Sequence, residues 1–294
     1  MTDDVPRGWR VWWLAVRPKT LSIAVAPVLV GTAAAWSEAH RFDPLPMAAA
    51  VAGAVLIEAG TNLWNDVADT EKGADLPTRT GPARATAMGW ATPAAVRRAA
   101  LACFAAASAA GLYLAAVGGW PIVILGIASL LSGWAYSFGP WPISHSPAGE
   151  AFVLAFFGLG AVAGSAWVQQ PALSGAILAA GAAVGLPACG VLMVNNYRDA
   201  EQDRLAGRRT LAIVLGRGPS KAAYALFMLL PFALLAALPP GAWLGMAALP
   251  LALHWIARFL RRPPGPAFNP ILAGTARCQL ILAVLMAAGM VGLG

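Results

Sequence analysis

The chain is divided into stretches of about 20 mostly apolar residues, and this division limits its folds more than any other feature. Such stretches run near 20–37, 45–64, 96–117, 119–138, 149–169, 174–195, 221–239, 241–259 and 271–292. Each is about long enough to cross the hydrocarbon core of a bilayer as an α-helix. The predicted fold is therefore all-α, a polytopic membrane bundle of nine transmembrane helices forming a single domain over residues 1–294. Composition agrees. Only 11% of the residues are charged and 59% are hydrophobic, against about a quarter charged in soluble domains. Several stretches are rich in Ala and Gly, which favours close helix–helix contact.

The net charge of +7 reads as membrane topology instead of nucleic-acid binding. Eighteen of the twenty Lys and Arg fall before the first stretch or in alternate loops, and only Arg41 and Arg277 depart from this. Cytoplasmic loops are rich in basic residues, so the N-terminus is expected in the cytoplasm. The Trp-rich segment within residues 1–19 (Trp9, Trp12, Trp13) reads as an interfacial amphipathic helix. Cys103, Cys189 and Cys278 each lie alone in apolar surroundings, and the three histidines are scattered. No metal-ligand spacing joins them.

Two long polar segments, about 62–95 and 195–220, share the predicted cytoplasmic side. The first opens NLWNDVADTEKGAD and the second NNYRDAEQD. Asn65 is followed by Asp69, and Asn195 by Asp199, with 130 residues between copies. Each copy adds a further acid (Asp75; Asp203) and a basic-Thr pair (Arg79–Thr80; Arg209–Thr210). This is a weak internal duplication. If the preceding helix continues, Asn62, Asn65, Asp66 and Asp69 share one face at offsets 0, 3, 4 and 7. Asn196, Asp199 and Asp203 repeat the pattern at 0, 3 and 7. Carboxylates this close repel unless a cation lies between them, and carboxylate and amide oxygens suit Mg²⁺, which favours a shell shared with phosphate oxygens. Lys72, Arg79, Arg84, Arg204, Arg208 and Arg209 stand near the acids, and arginine forks match phosphate oxygens. Two such faces opposed across a bundle would clamp a Mg²⁺–diphosphate.

These motifs, together with RPKT and APVLVGTA (residues 17–33), TRTGPARATAMG (78–89), AYSFGPWP (135–142) and GEAFVLAFFGLGAVAGSAWVQ (149–169), resemble the UbiA-type intramembrane prenyltransferases over nearly the whole chain. Within them the sequence is most similar to the branch acting on 1,4-dihydroxy-2-naphthoate. The resemblance implies nine helices around a central cavity, capped by the acidic segments, in the plasma (inner) membrane with the active site toward the cytoplasm. It implies Mg²⁺-dependent transfer of a polyprenyl group from a polyprenyl diphosphate to an aromatic acceptor, here dihydroxynaphthoate, with decarboxylation to demethylmenaquinol. Carried onto this chain, Asn65, Asp66, Asp69, Asp199 and Asp203 would hold the metal and diphosphate, with Asn65, Asp69, Asp199 and Asp203 as the catalytic set. Asn62, Lys72, Arg79, Arg84, Asn195, Asn196, Arg204 and Arg209 would contact substrate. Tyr136 and Glu150 are candidates for orienting the acceptor, and Glu58 is an intramembrane acid with either a functional or a structural role.

Two other readings stay open. One is a UbiA-type enzyme with a different acceptor, such as 4-hydroxybenzoate, homogentisate or a lipid precursor. The other is a secondary transporter, whose ionisable residues belong near the bilayer centre instead of at helix ends. The charge alternation predicts sidedness. In a Cys-free background, Thr78→Cys and Ala206→Cys should react with an impermeant maleimide only from the cytoplasmic side, and Ala39→Cys only from outside. Labelling of the first two from opposite sides would contradict a shared site.

Overall fold

A computed structural model describes residues 6–71, 81, 83–139 and 141–293. Among them the regular structure is helical throughout. In chain order the helices are α1 (Trp9–Ala15), α2 (Ser22–Ala39), α3 (Pro44–Glu71), α4 (Pro93–Gly118), α5 (Trp120–Ala135), α6 (Gly149–Trp167), α7 (Gly175–Leu205), α8 (Leu211–Leu215), α9 (Arg217–Ala237), α10 (Pro240–Arg261) and α11 (Phe268–Gly292). Eight of these (α2, α3, α4, α6, α7, α9, α10 and α11) are long and apolar enough to cross a bilayer. The apolar stretch expected at 119–138 forms the shorter α5, of 16 residues. The chain is a polytopic membrane protein.

Local chemistry sets where the helices begin. The Thr92 hydroxyl accepts from the Ala95 N–H, and Pro93 supplies the first turn of α4. Ser174 caps α7 in the same way through the Ile177 N–H. Neither α3 nor α7 stops where its apolar stretch ends. At 28 and 31 residues, they run about 42 and 46 Å at 1.5 Å per residue, well beyond a hydrocarbon core of about 30 Å. Their polar last turns are thereby held rigidly past the apolar zone. The segments expected as loops from 62 and 195 are thus helical as far as Glu71 and Leu205.

Helix α7 is the central post: 78% of its apolar window is buried, against 11% for α4, which faces outward. Backbones meet closely wherever glycines coincide. A Cβ on Gly158 of α6 would lie 2.8 Å from both Gly181 O and Gly185 Cα of α7. Around this contact α6 relaxes into a π-helical stretch, Leu154–Gly160. The first half of α10, Pro240–Ala248, is wound as a 3-10 helix where Gly241 meets Gly289 of α11. Both stretches read as plain apolar spans in the sequence, and the glycine contacts account for the departure. Buried polar groups stitch the same helices together: Gln279 Nε2 donates to Val184 O at 2.9 Å, and the Tyr224 and Thr275 hydroxyls lie 2.7 Å apart.

At Gly289 a Cβ would fall 1.8 Å from the Gly241 carbonyl oxygen, so α10 and α11 cannot keep their spacing around any larger residue. Gly289→Val should destabilise the bundle by about 1–3 kcal/mol, the usual range for overpacking. Gly292→Ala on the same helix, where a Cβ meets nothing within 4 Å, should leave the melting midpoint in detergent unchanged.

Candidate active site at the ends of the two long helices

The four residues on the last turns of α3 share one face but meet different partners. Asn62 Nδ2 donates to Val16 O at 3.1 Å, which ties the N-terminal segment to α3. Asp66 takes the backbone N–H groups of Ala85 and Thr86 at 2.7 and 3.1 Å, together with the Thr86 hydroxyl. It anchors the segment that delivers Arg84. Sequence reasoning places Asp66 among the metal ligands, whereas here both its oxygens serve this anchor. Asp69 receives Arg84 on one oxygen and Arg208 on the other, the latter at 2.8 Å. Asn65 Oδ1 is buried and has no hydrogen-bond partner among the described residues.

On α7, Asp199 is held by Arg198 through two contacts, at 2.8 and 2.6 Å. The same guanidinium reaches Asn195 and Asn269 at 2.7 and 2.8 Å. Asn196 donates to Glu150 on α6 at 3.0 Å. Asp203 pairs with Arg208 at 3.2 Å. Arg208 therefore bridges the two acidic segments, with one amino group on Asp69 and the other on Asp203. Burial works against the charge on Arg208, but the two carboxylates more than offset it and hold its pKa above the ordinary value.

The remaining expected residues divide. Arg84 is buried at the centre. Arg209 is nearby through its backbone, whose N–H donates to His145 O at 2.9 Å. Arg204 points away: its side chain is 60% exposed and 3.9 Å from Glu201, one turn back on the same helix. Lys72 and Arg79 lie outside the described residues. Glu58 sits one turn before Asn62 on the same helix, beside Thr20 and the Ala24 backbone, within reach of Arg17.

Sequence reasoning counts Arg208 only as one of six basic residues beside the acids and assigns no site role to Arg17. Arg208 stands near the acids in sequence, but only the fold shows that it joins them. Arg17 counts there only as a topological charge. Its φ of 57° is unusual for a residue with a side chain, and its charge lies close enough to act on Asp69, Tyr136 and Glu58. The RPKT stretch is its only signal.

Beneath this charged cluster lies an apolar cavity of about 490 Å³, lined from Tyr136 at one end to Ile122 and Val168 at the other. Tyr136 belongs to both environments, since it lines the cavity and lies close to Glu150, Arg17, Arg208 and Asp69. Among the described residues no three His, Cys, Asp or Glu side chains converge on a metal position. The available donors are the carboxylates of Asp69, Asp199 and Asp203 and the unpaired Asn65 oxygen. Such hard oxygen ligands fit a small divalent cation that completes its shell with ligand oxygens and water. Glu150 Oε2 and Arg208 Nε are also buried without hydrogen-bond partners among the described residues. Native proteins rarely leave such atoms unsatisfied, and a polar ligand or water would satisfy them.

A bundle with a charged mouth above an apolar cavity is suited to amphiphiles, and the chain belongs to the UbiA prenyltransferase family, whose model matches residues 24–268. It is 34% identical to the 1,4-dihydroxy-2-naphthoate octaprenyltransferase of Escherichia coli (strain K12), over 99% of this chain and 98% of that one. It is 35% identical to the enzyme of the same name from Mycobacterium tuberculosis, over 95% and 96%. Among solved structures, a UbiA homolog from Aeropyrum pernix K1 shares the fold with a TM-score of 0.69 at 18% identity, over 94% of this chain and 98% of that one. A UbiA homolog from Archaeoglobus fulgidus, bound to DMAPP and Mg²⁺, does so with a TM-score of 0.65 at 13% identity, over 96% and 99%.

Arg208→Ala should strip Asp69 of one of its two guanidinium partners and leave the carboxylate under-compensated in a buried setting. The expected cost is on the order of 3 kcal/mol. The double variant Asp69→Asn/Arg208→Ala should be less destabilised than the sum of its singles by at least about 1 kcal/mol. Thermal melting in detergent measures both, and strict additivity would mean that the bridge carries no coupling.

Proposed function

We propose that the protein transfers a polyprenyl group from a polyprenyl diphosphate to 1,4-dihydroxy-2-naphthoate, with Mg²⁺, releasing CO₂ and diphosphate and giving demethylmenaquinol. The observation that carries this reading is the joining of both acidic segments through Arg208 at the mouth of an apolar cavity. The name printed for the relatives from E. coli and M. tuberculosis supports the choice of acceptor. The Mg²⁺ in the A. fulgidus homolog supports the metal. We take α5 as the ninth crossing, with the N-terminus and active site on the cytoplasmic side of the plasma membrane. The basic loops support that orientation.

In this reading Asp69, Asp199, Asp203 and Asn65 hold the metal–diphosphate. Asp66 positions Arg84 by fixing the segment that carries it. When bound, Mg²⁺ neutralises charge gathering on the leaving diphosphate oxygens. Arg84 and Arg208, with Lys72, Arg79 and Arg209, donate to the same oxygens as the allylic C–O bond breaks. Arg17 lies close enough to join them. The cavity walls keep water from the allylic cation. A ring carbon of the acceptor attacks the allylic carbon, and the ring carboxylate departs as CO₂, so no net proton is released. Tyr136 and Glu150, the latter steadied by Asn196, orient the acceptor at the junction of cavity and charged mouth.

The reaction is checked with purified protein in detergent, Mg²⁺, a polyprenyl diphosphate and a panel of acceptors, by mass spectrometry of the products. Dihydroxynaphthoate should yield a prenylated, decarboxylated product, and Asp69→Ala or Asp199→Ala should reduce turnover at least 100-fold, consistent with about 3 kcal/mol of lost leaving-group stabilisation. Prenylation of hydroxybenzoate or a lipid precursor alone would replace the acceptor. No product from any acceptor would favour a transporter.

A further inference from the structure

A second cavity, of about 350 Å³, lies between the start of α9 and the end of α10, lined by Arg217, Lys221, Arg261, Arg262, Tyr197 and Pro263 among others. Four cationic side chains converge on it, and no carboxylate lines it. Several basic residues elsewhere at this end of the bundle have acidic partners: Arg84 with Asp69, Arg97 with Glu71, Arg198 with Asp199, Arg204 with Glu201. Among the described residues no ion pair involves the four cavity cations. Lys221 Nζ instead donates to Leu260 O at 2.7 Å, which locks the end of α10 against the first turns of α9. Cytoplasmic retention of positive charge requires only that cations lie on this side. It does not require four of them around one cavity, where they repel each other.

Two further features point to an anion. The cavity is built on the N-terminal end of α9, which opens at Arg217 after Gly216 in a left-handed conformation (φ 77°), and the first N–H groups of a helix favour negative charge. The Tyr197 ring is wedged between Phe259 and Phe268, with centroids 4.9 and 5.4 Å away, which fixes the wall against which Arg217 stands. The level of the cavity is also informative. Arg217 opens one spanning helix and Arg261 closes another, so the cations stand where the hydrocarbon zone ends. Below them, Leu253 and Leu260, seven residues apart and so on one face of α10, are exposed.

We propose that this cavity binds the phosphate of an anionic phospholipid headgroup, with an acyl chain lying along the leucine flank of α10. A phosphate diester offers several acceptor oxygens to guanidinium forks, and basic pockets between spanning helices are suited to such headgroups. A free phosphate would satisfy the cations and leave the leucine flank unused. The site is separate from the acidic cluster, yet Tyr197 lies between Asn196 and Arg198 of the second acidic segment.

Native mass spectrometry of the full chain in detergent tests this, with phosphatidylglycerol and phosphatidylcholine of matched acyl chains as probes. The wild type should retain phosphatidylglycerol at least tenfold more strongly. Each arginine removed should weaken that binding about fivefold, so Arg261→Ala/Arg262→Ala should lose about 25-fold with phosphatidylcholine unaffected. Arg97→Ala/Arg98→Ala, at the same end of the bundle, should change nothing. If melting curves show the double variant unfolded, Arg217→Gln, on the other helix, should alone cost about fivefold. Equal retention of the two lipids, or undiminished selectivity in a folded cavity variant, overturns the proposal. So does displacement of phosphatidylglycerol by inorganic phosphate or diphosphate at equal concentration, which would assign the cavity to a soluble anion.

Discussion

The Arg208 guanidinium, set between Asp69 and Asp203, is the interaction on which the polar end of the molecule depends. These carboxylates belong to helices whose sequences are more than 100 residues apart, and both are nearly buried. Without a cation between them, their mutual repulsion at low dielectric would drive the ends of α3 and α7 apart. With it, the two longest helices are pinned at one level. Desolvating three charges is costly, so such an arrangement is a poor device for stability alone. It is a good device for holding charge ready for exchange. A metal–diphosphate brings both cations and anions, and could replace each guanidinium–carboxylate contact with one of the same sign pattern.

Much of this is legible in the sequence. Apolar length alone defines the spans, and the repeated Asn-Asp spacing identifies the helix ends that meet. The carboxylates of Asp69, Asp199 and Asp203 are readable because acids repeated at helical offsets beside long apolar runs need a cation to hold them together. Their partners are not. Nothing in the sequence separates Arg208, which bridges the site, from Arg204, four residues earlier on the same polar segment, which faces away. That choice is made by the turn after Leu205, where α7 ends and the chain reverses. Asp66 shows the same limit. Its offset matches the ligand positions, but the partners it meets here belong to a segment whose return to α3 depends on the fold. Arg17 is hidden because its approach to the site depends on a single left-handed residue.

The irregular helices are invisible to the sequence for a different reason. Hydropathy reports that a stretch is apolar, not how it is wound, and the windings of α6 and α10 follow from glycines meeting across helices. Gly158, Gly181 and Gly185 are far apart or uninformative as individual letters, and only when α6 lies on α7 do they form one contact. Close backbone approach of this kind supplies packing where apolar burial between helices gives no advantage over lipid. It also lets the wall of the cavity be shaped by backbone, and the side chains of Phe152, Phe156 and Phe157 are left to line it.

Helix α5 has a consequence for the surrounding lipid. At 16 residues it extends about 24 Å, shorter than a hydrocarbon core of about 30 Å, and it presents Ile124 and Leu131 outward while Ile122, Leu125 and Gly126 line the cavity. The wall that separates cavity from bilayer is thus shorter than the bilayer core is thick. Lipids beside it must thin or tilt to cover it, at a fraction of a kcal/mol per ångström of mismatch. Strain in the annulus is thereby concentrated on one side of the protein. Under the proposed function, an isoprenoid tail, which needs no fixed leaflet thickness, would cover that flank with less strain than a phospholipid.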